Sequence, residues 1–215
     1  MRSINQFAAA AALIASLAVH AAATTASAQD EMTPSRFEAA VAGGVQALNQ
    51  NDTGVPDNFV NVPLVATLGY NVTPVWSVDG EFTWLIPVKQ SVDLTGSGTQ
   101  DRKSPDILAY QANVRANLRG VSESLVPYVT AGAGAMTFLS NTDTDRVPQL
   151  SESQTAFAMN FGTGLTYEIG QRWALRADFR EFVALPSNDA QGLSAGGDAD
   201  RIWMERGTVG AAFRF

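Results

Sequence analysis

Thr208-Val209-Gly210-Ala211-Ala212-Phe213-Arg214-Phe215 is the stretch whose reading decides the fold. Side chains along a strand alternate between its two faces, so Val209, Ala211, Phe213 and Phe215 share one face. Thr208, Gly210, Ala212 and Arg214 share the other. The run then stops on Phe-x-Phe. The last strand of a soluble sandwich rarely ends flush on two aromatics with nothing beyond to cover them. One greasy face and one face of small and ionic residues suit the closing stave of a barrel. The rest of the chain should then supply the other staves.

Working back from that end, eight alternating segments can be marked, at 36–48, 59–72, 75–88, 107–119, 126–139, 155–169, 172–185 and 203–215. Each exceeds the usual soluble strand of about 5–6 residues and suits a tilted membrane span of about 9–11 residues plus rims. The connections alternate in length. Thr73-Pro74, 120–125 and Gly170-Gln171 are short, whereas 49–58, 89–106, 140–154 and 186–202 are long. In an up-and-down barrel this puts the short turns and both chain ends at one rim and the long loops at the other. Transmembrane barrels have that asymmetry, and a soluble meander has no physical reason to keep it.

The faces divide by chemistry. Trp76, Val78, Phe82, Trp84 and Ile86 oppose Ser77, Asp79, Glu81 and Thr83. Leu108, Tyr110, Val114 and Leu118 oppose Gln111, Asn113, Arg115 and Asn117, and Trp173, Leu175 and Phe179 oppose Arg172, Arg176, Asp178 and Arg180. A soluble lipocalin-like barrel would turn the apolar set inward around a ligand; a membrane barrel does the reverse. Two features favour the reverse. Gly44, Gly132, Gly134, Gly162, Gly164 and Gly210 accompany the polar face, where a narrow lumen is crowded. Aromatics also gather at segment ends: Tyr70, Trp76, Tyr128, Tyr167, Trp173 and Phe215 beside the short turns, Trp84, Tyr110 and Trp203 towards the long loops. The two groups lie on the order of 20–25 Å apart at about 3.3 Å per residue and a tilt near 40°, close to the height of an apolar band. Trp and Tyr prefer the headgroup zone, so two girdles are expected.

Two places strain the pattern. Pro63 lacks a ladder donor in mid-segment and suggests a bulge. In the fifth segment the alternation points Tyr128 inward unless the strand bulges near its start, leaving only Val129, Ala131, Ala133 and Ala135 outside.

Composition bounds the function. The chain has 215 residues, 16% of them charged, and no apolar run of about 18 residues outside its leader, which argues against transmembrane helices. Arg2, the apolar run from Ala8 to Val19 and Ala26-Ser27-Ala28 make a secretory signal with cleavage expected after Ala28. One domain, 29–215, follows. There is no cysteine, so disulfides and thiolate metal sites are excluded, and the single histidine, His20, lies in the leader. Removing Arg2 from the formal net charge of −7 leaves −8 for the mature chain. That acidity argues against nucleic acid as a partner.

Two motifs carry a family resemblance. The pattern polar-x-Gly210-x-x-Phe213-x-Phe215 resembles the carboxyl-terminal signal of bacterial outer-membrane β-barrels, which the barrel-insertion machinery reads. Pro127-Tyr128-Val129-Thr130-Ala131-Gly132-Ala133-Gly134 resembles the Pro-Tyr-x-x-x-Gly-x-Gly strand of the OmpA-like family. The resemblance implies an all-β fold, an eight-stranded antiparallel up-and-down transmembrane β-barrel exported to the Gram-negative outer membrane, with lipid and lipopolysaccharide around it. No peptidoglycan-binding domain is expected, because the given chain stops at the barrel.

The inward set would contain Glu38, Asp79, Glu81 and Asp178 against Arg115, Arg176, Arg180 and Arg214. Buried ions need partners, and eight strands leave a lumen just filled by side chains. A salt-bridged plug is therefore expected, with a gated ion path as the alternative. Barrel enzymes of the known Ser-His and Asp-His kinds need an imidazole, which the mature chain lacks, so no catalytic residue and no cofactor is assigned. Asn141-Thr142-Asp143-Thr144-Asp145 and Gly196-Gly197-Asp198-Ala199-Asp200 alternate oxygen donors that could hold Ca²⁺, but neither completes a known calcium loop. An imidazole-free enzyme would have to use carboxylates alone, such as Asp143 and Asp145. Glu181 and Glu205 fall on the apolar face of neighbouring segments, where like charges repel unless divalent ions bridge them or a bulge turns them away. The expected role is structural or surface-interacting, through long acidic external loops that could meet an outside ligand. A narrow porin and a soluble lipocalin-like binder are the alternatives.

Overall fold

Alternation of bulky apolar with small or polar residues dictates strands here, because each strand must offer one face to an apolar surround and the other to a crowded interior. The computed structural model describes residues 36–49, 59–94, 98–118, 124–146, 149–186 and 201–215. The leader, the run Gly196–Asp200 and the loop positions 50–58 lie outside the described residues. The strands are β1 (Phe37–Asn49), β2 (Phe59–Asn71), β3 (Trp76–Pro87), β4 (Gln90–Leu94), β5 (Gly98–Arg102), β6 (Ile107–Asn117), β7 (Leu125–Phe138), β8 (Gln154–Ile169), β9 (Trp173–Leu185) and β10 (Ile202–Arg214). Eight of them close an antiparallel barrel in the order β1-β2-β3-β6-β7-β8-β9-β10, with β10 returning to β1. The end of the chain completes the closure, since Phe37 and Phe215 exchange both backbone hydrogen bonds, at 3.3 and 3.0 Å.

The registers fix the barrel's size. The partners Ala39, Leu68, Gly80, Ala112, Ala133, Met159, Val183 and Trp203 lead once around and return to β1 at Asn49. The stagger is 49 minus 39, or 10 residues. With eight strands this tilts them by about 40° and leaves an interior only wide enough for side chains.

The apolar face is outside. Val41, Leu68, Val114, Phe161 and Phe179 are all exposed, whereas Glu38, Asp79, Glu81, Arg115, Asp178 and Arg180 are buried. The lipocalin-like alternative is thereby overturned, since it requires the opposite orientation.

The structure departs from the sequence-based expectation in three places and decides a fourth, the facing of Tyr128. The connection between β3 and β6 is not plain loop but carries the hairpin β4–β5. Pro63 makes no bulge. Pairing between β1 and β2 lapses after Gly43↔Leu64 and resumes at Gln46↔Asn61 in the same register, so a missing donor costs ladder bonds without shifting the strands. Tyr128 points inward with no bulge, because β7 keeps one register against both neighbours; it therefore leaves the lower aromatic group. Finally, the interior is not ionic throughout. Leu48, Leu85, Ile107, Met136, Phe138, Phe182, Ile202 and Met204 fill its long-loop half as one apolar cluster.

Candidate functional site: the lumen ladder and the loops above it

Inward positions on seven different strands converge because the bore is narrow enough for long side chains from opposite walls to meet. Near the short-turn rim, three arginines meet Glu38 of β1. Arg115 Nη2 donates to Oε1 at 3.2 Å, Arg176 Nη2 donates to the same oxygen, and Arg214 Nε donates to Oε2 at 3.0 Å. Glu168 of β8 accepts from both terminal nitrogens of Arg214, at 2.6 and 2.7 Å. Asp79 Oδ1 lies 3.8 Å from Arg115 Nη2.

Half-way up, Tyr128 Oη donates to Asp178 Oδ2 at 2.7 Å, and Arg180 Nε donates to the other oxygen at 2.7 Å. Arg180 Nη1 then lies 3.1 Å from Glu81 Oε2. Arg206 of β10 completes the ladder, with Nη2 to Glu81 Oε1 at 2.7 Å and Nη1 to Thr83 Oγ1 at 2.9 Å. Its guanidinium sits 4.5 Å from the Phe182 ring centroid, where the apolar half begins. Above Asn113, Asn160 Nδ2 donates to both Asn113 and Gln111, at 2.8 and 3.0 Å.

All eight sequence-predicted interior ions fall in this one ladder. Arg206 and Glu168 were not named among them, whereas Thr83 and Tyr128, already on the inward parity, join the ladder as neutral members. Arg206 shares the parity of Thr208 and Gly210, and Glu168 that of Gly164 and Thr166, so extending the alternation by one step beyond Thr208 and Thr166 would have found both. The Tyr128 ring needs space on β8 and has it because Gly164, its register partner, carries no side chain; a Cβ there would lie on the ring.

Outside the barrel, Trp76, Trp173 and Phe215 at the short-turn rim are exposed, and so are Trp84, Tyr110 and Trp203 at the other; Tyr70 and Tyr167 are half-buried. Phe37 joins the lower group, with its ring 5.1 Å from Tyr70 and 6.0 Å from Phe215. Phe213 packs on Trp173 at 4.9 Å. Gly210 faces inward, against Ala42 of β1. Glu181 and Glu205 are direct register partners, and β9–β10 pairing runs unbroken through them. That removes the bulge as a way of separating the two.

Two long connections are stitched together over the far rim. Lys103 and Arg146 form a parallel bridge. Arg146 donates to Asp106 at 2.6 Å and to Asp143 at 3.2 Å, and Lys103 Nζ lies 3.3 Å from Asp145. Asp143 and Asp145 thus each face a cation. The hydrogen bond from Lys103 holds the Asp145 carboxyl below its ordinary value. Ser104 Oγ reaches down to Asn61 at 2.7 Å, and Leu150 plugs into the apolar cluster at 1% exposure.

Comparison with known proteins agrees with this geometry. The chain matches the outer membrane protein beta-barrel domain over residues 9–215. Among solved structures it resembles the N-terminal β-barrel domain of Pseudomonas aeruginosa OprF, at 15% identity and TM-score 0.51, covering 85% of this chain and 100% of that one. Neisserial surface protein A shares 13% identity at TM-score 0.55, over 83% of this chain and 96% of that one. Ail of Yersinia pestis, solved in complex with the heparin analogue sucrose octasulfate, shares 16% identity at TM-score 0.50, over 85% and 100%. A search of curated protein sequences found no match. With apolar side chains facing out, ions packed within and the family profile spanning nearly the whole sequence, the chain belongs to the outer-membrane β-barrel domain family.

Proposed function

We propose that this protein is a non-conducting outer-membrane barrel with a structural or surface-interacting role in the envelope. The observation that carries the proposal is the filled bore. The salt-bridge ladder occupies the half near the short turns, and the apolar cluster capped by Leu150 occupies the other. The polar groups buried beside that cluster, Gln46, Asn61 and Ser104, are all neutral, so a hydrated ion entering it would shed water without meeting a compensating charge. Planar-bilayer recording and liposome swelling with the purified protein test this: no reproducible current steps and no sugar-driven swelling are expected. Regular steps would establish the narrow-porin alternative instead.

The remaining parts of the reading follow from chemistry. The leader is cleaved after Ala28 on export. Gly210, Phe213 and Phe215 form the signal read by the barrel-assembly machinery. Tyr70, Trp76, Tyr167 and Trp173 anchor one headgroup zone, and Trp84, Tyr110 and Trp203 the other, in contact with lipid and lipopolysaccharide. The stitched loops are the surface that meets an external ligand. No catalysis is assigned, because the mature chain holds no histidine or cysteine to act as base or nucleophile.

A further inference from the structure

Among the described residues, thirteen apolar side chains fill the long-loop half of the bore as one cluster. Twelve of them sit on strands of the barrel wall, on β1, β3 and β6 to β10. Leu150 is the exception. It comes from the connection between β7 and β8, outside the wall, yet it is as buried as the rest. The neighbouring connection, between β5 and β6, is pinned to the wall by a buried polar bond from Ser104 to Asn61. The β7–β8 connection is tied to itself, with Asn141 N donating to Leu150 O at 2.8 Å and Gln149 Nε2 to Asp143 O at 3.1 Å. It is also tied to its neighbour by the pairs Lys103–Asp145 and Arg146–Asp106. The first of these pairs has side chains 33% and 35% exposed, and exposed ion pairs contribute little. Burial of one isobutyl group is then the main force that seats this connection on the bore.

We infer that the outer half of the bore is a binding cup for one small aliphatic molecule, and that Leu150 is its built-in stopper. Leu85, Ile107, Phe138, Phe182 and Met204 give the cup apolar walls. Its floor is the place where the Arg206 guanidinium meets the Phe182 ring at 4.5 Å. The group already seated there shows what fits, a short branched chain with no polar atom. A free molecule of that shape gains the same burial that Leu150 gives up, so the two compete. The connection lifts as the ligand enters from the long-loop side. This rests on the reading of the stitched loops as the outward surface. It does not require a conducting bore, since the salt-bridge ladder stays closed beneath the cup.

The test is methyl NMR of the intact, leucine-labelled barrel in lipid nanodiscs, titrated with 2-methylbutane. The Leu150 methyl signals should move, saturably, from a buried to a solvent-exposed position, and Leu85 should show a nuclear Overhauser effect to the probe. Leu175, on the lipid face, reports general partitioning into the bilayer and should change only in proportion to the probe added. In Leu150→Ala the apparent affinity for the probe should rise about tenfold or more, because the closed state no longer competes. Because the chain has no native cysteine, a Leu150→Cys thiol gives a second readout. A charged thiol reagent should modify it in the folded barrel, and several-fold faster with 2-methylbutane present. Heat-modifiable gel migration confirms that each variant is folded. Leu150 methyls that stay in place at probe saturation, or an affinity unchanged in Leu150→Ala, overturn the inference. So does a Leu150→Cys thiol that reacts only on unfolding. The outward reading of the loops is checked apart from this, by labelling Asp143→Cys on intact cells, and the closed ladder by bilayer recording, so the three fail separately.

Discussion

Arg206 on β10 reaches across the bore to Glu81 on β3, Nη2 to Oε1 at 2.7 Å, joining strands that are not neighbours in the barrel wall. Removing one member of a buried ion pair leaves an uncompensated charge, which costs about 3–5 kcal/mol. Glu81→Gln strands Arg206, while Arg180 keeps Asp178, and should fall in that range. In a double-mutant cycle with Arg206→Gln, the second substitution should restore part of the loss. Denaturant unfolding in detergent or lipid measures it, and strictly additive losses would mean that the pair is not coupled.

Tyr128 and Gly164 form the second relationship with a measurable consequence. Tyr128→Phe removes the donor to Asp178 and should cost about 1–3 kcal/mol. Gly164→Ala places a methyl against the tyrosine ring and the β9 backbone, an overpacking effect of about 1–3 kcal/mol. Unfolding midpoints of the two variants give the comparison. A neutral Gly164→Ala would mean that the ring does not occupy its observed place.

The Lys103–Asp145 contact in the outer loops gives a pH dependence with a definite sign. Asp145 lies below its ordinary value of 3.8. A carboxylate depressed in the folded state adds stability that is fully present above its unfolded value and is lost as pH falls through the folded one. The Lys103 amide, bonded to the Asp145 carbonyl at 2.8 Å, should therefore keep its exchange protection above that ordinary value and lose it only on further acidification. Asp145→Asn should lower protection already at neutral pH. Amide exchange by NMR, corrected for intrinsic rates, decides it.

Phe215 separates stability from assembly. Deleting it removes two backbone bonds and one ring contact with Phe37, a loss of about 1–3 kcal/mol. If the terminal aromatic is also a recognition signal, assembled protein in cells should fall far more than refolding yield into detergent does. Heat-modifiable gel migration reads both, and equal losses would remove the signal from the account.

Much of this barrel could be read from residue order alone, because the membrane and the bore impose opposite chemistries on alternate positions. Phe82 against Glu81, or Val114 against Arg115, declares its side without any tertiary information. Where both sides are apolar, the signal fades. Leu85 beside Trp84 and Ile86, or Ile107 beside Leu108, reads as a greasy run, so the apolar half of the lumen was not expected. The hairpin β4–β5 was missed for another reason: Ser91-Val92-Asp93-Leu94 alternates over only four residues, and its partner Gly98-Thr99-Gln100-Asp101-Arg102 has no apolar side chain to mark a face. Tyr128 was legible as an inward residue, but its bond to Asp178 was not, because the two are 50 positions apart. The same holds for Arg206 and Glu81. Parity places each inside, yet only the stagger of the strands brings them together.

Accessibility of single spin labels tests the orientation most directly, and the absence of native cysteine makes such labels clean. Labels at Val114 and Leu175, in protein reconstituted into bilayers, should collide freely with dissolved oxygen and be shielded from a water-soluble nickel complex. A label at Asn113, one position inward of Val114, should be shielded from both. Free collision of nickel with Val114 and Leu175, with oxygen excluded, would contradict the account.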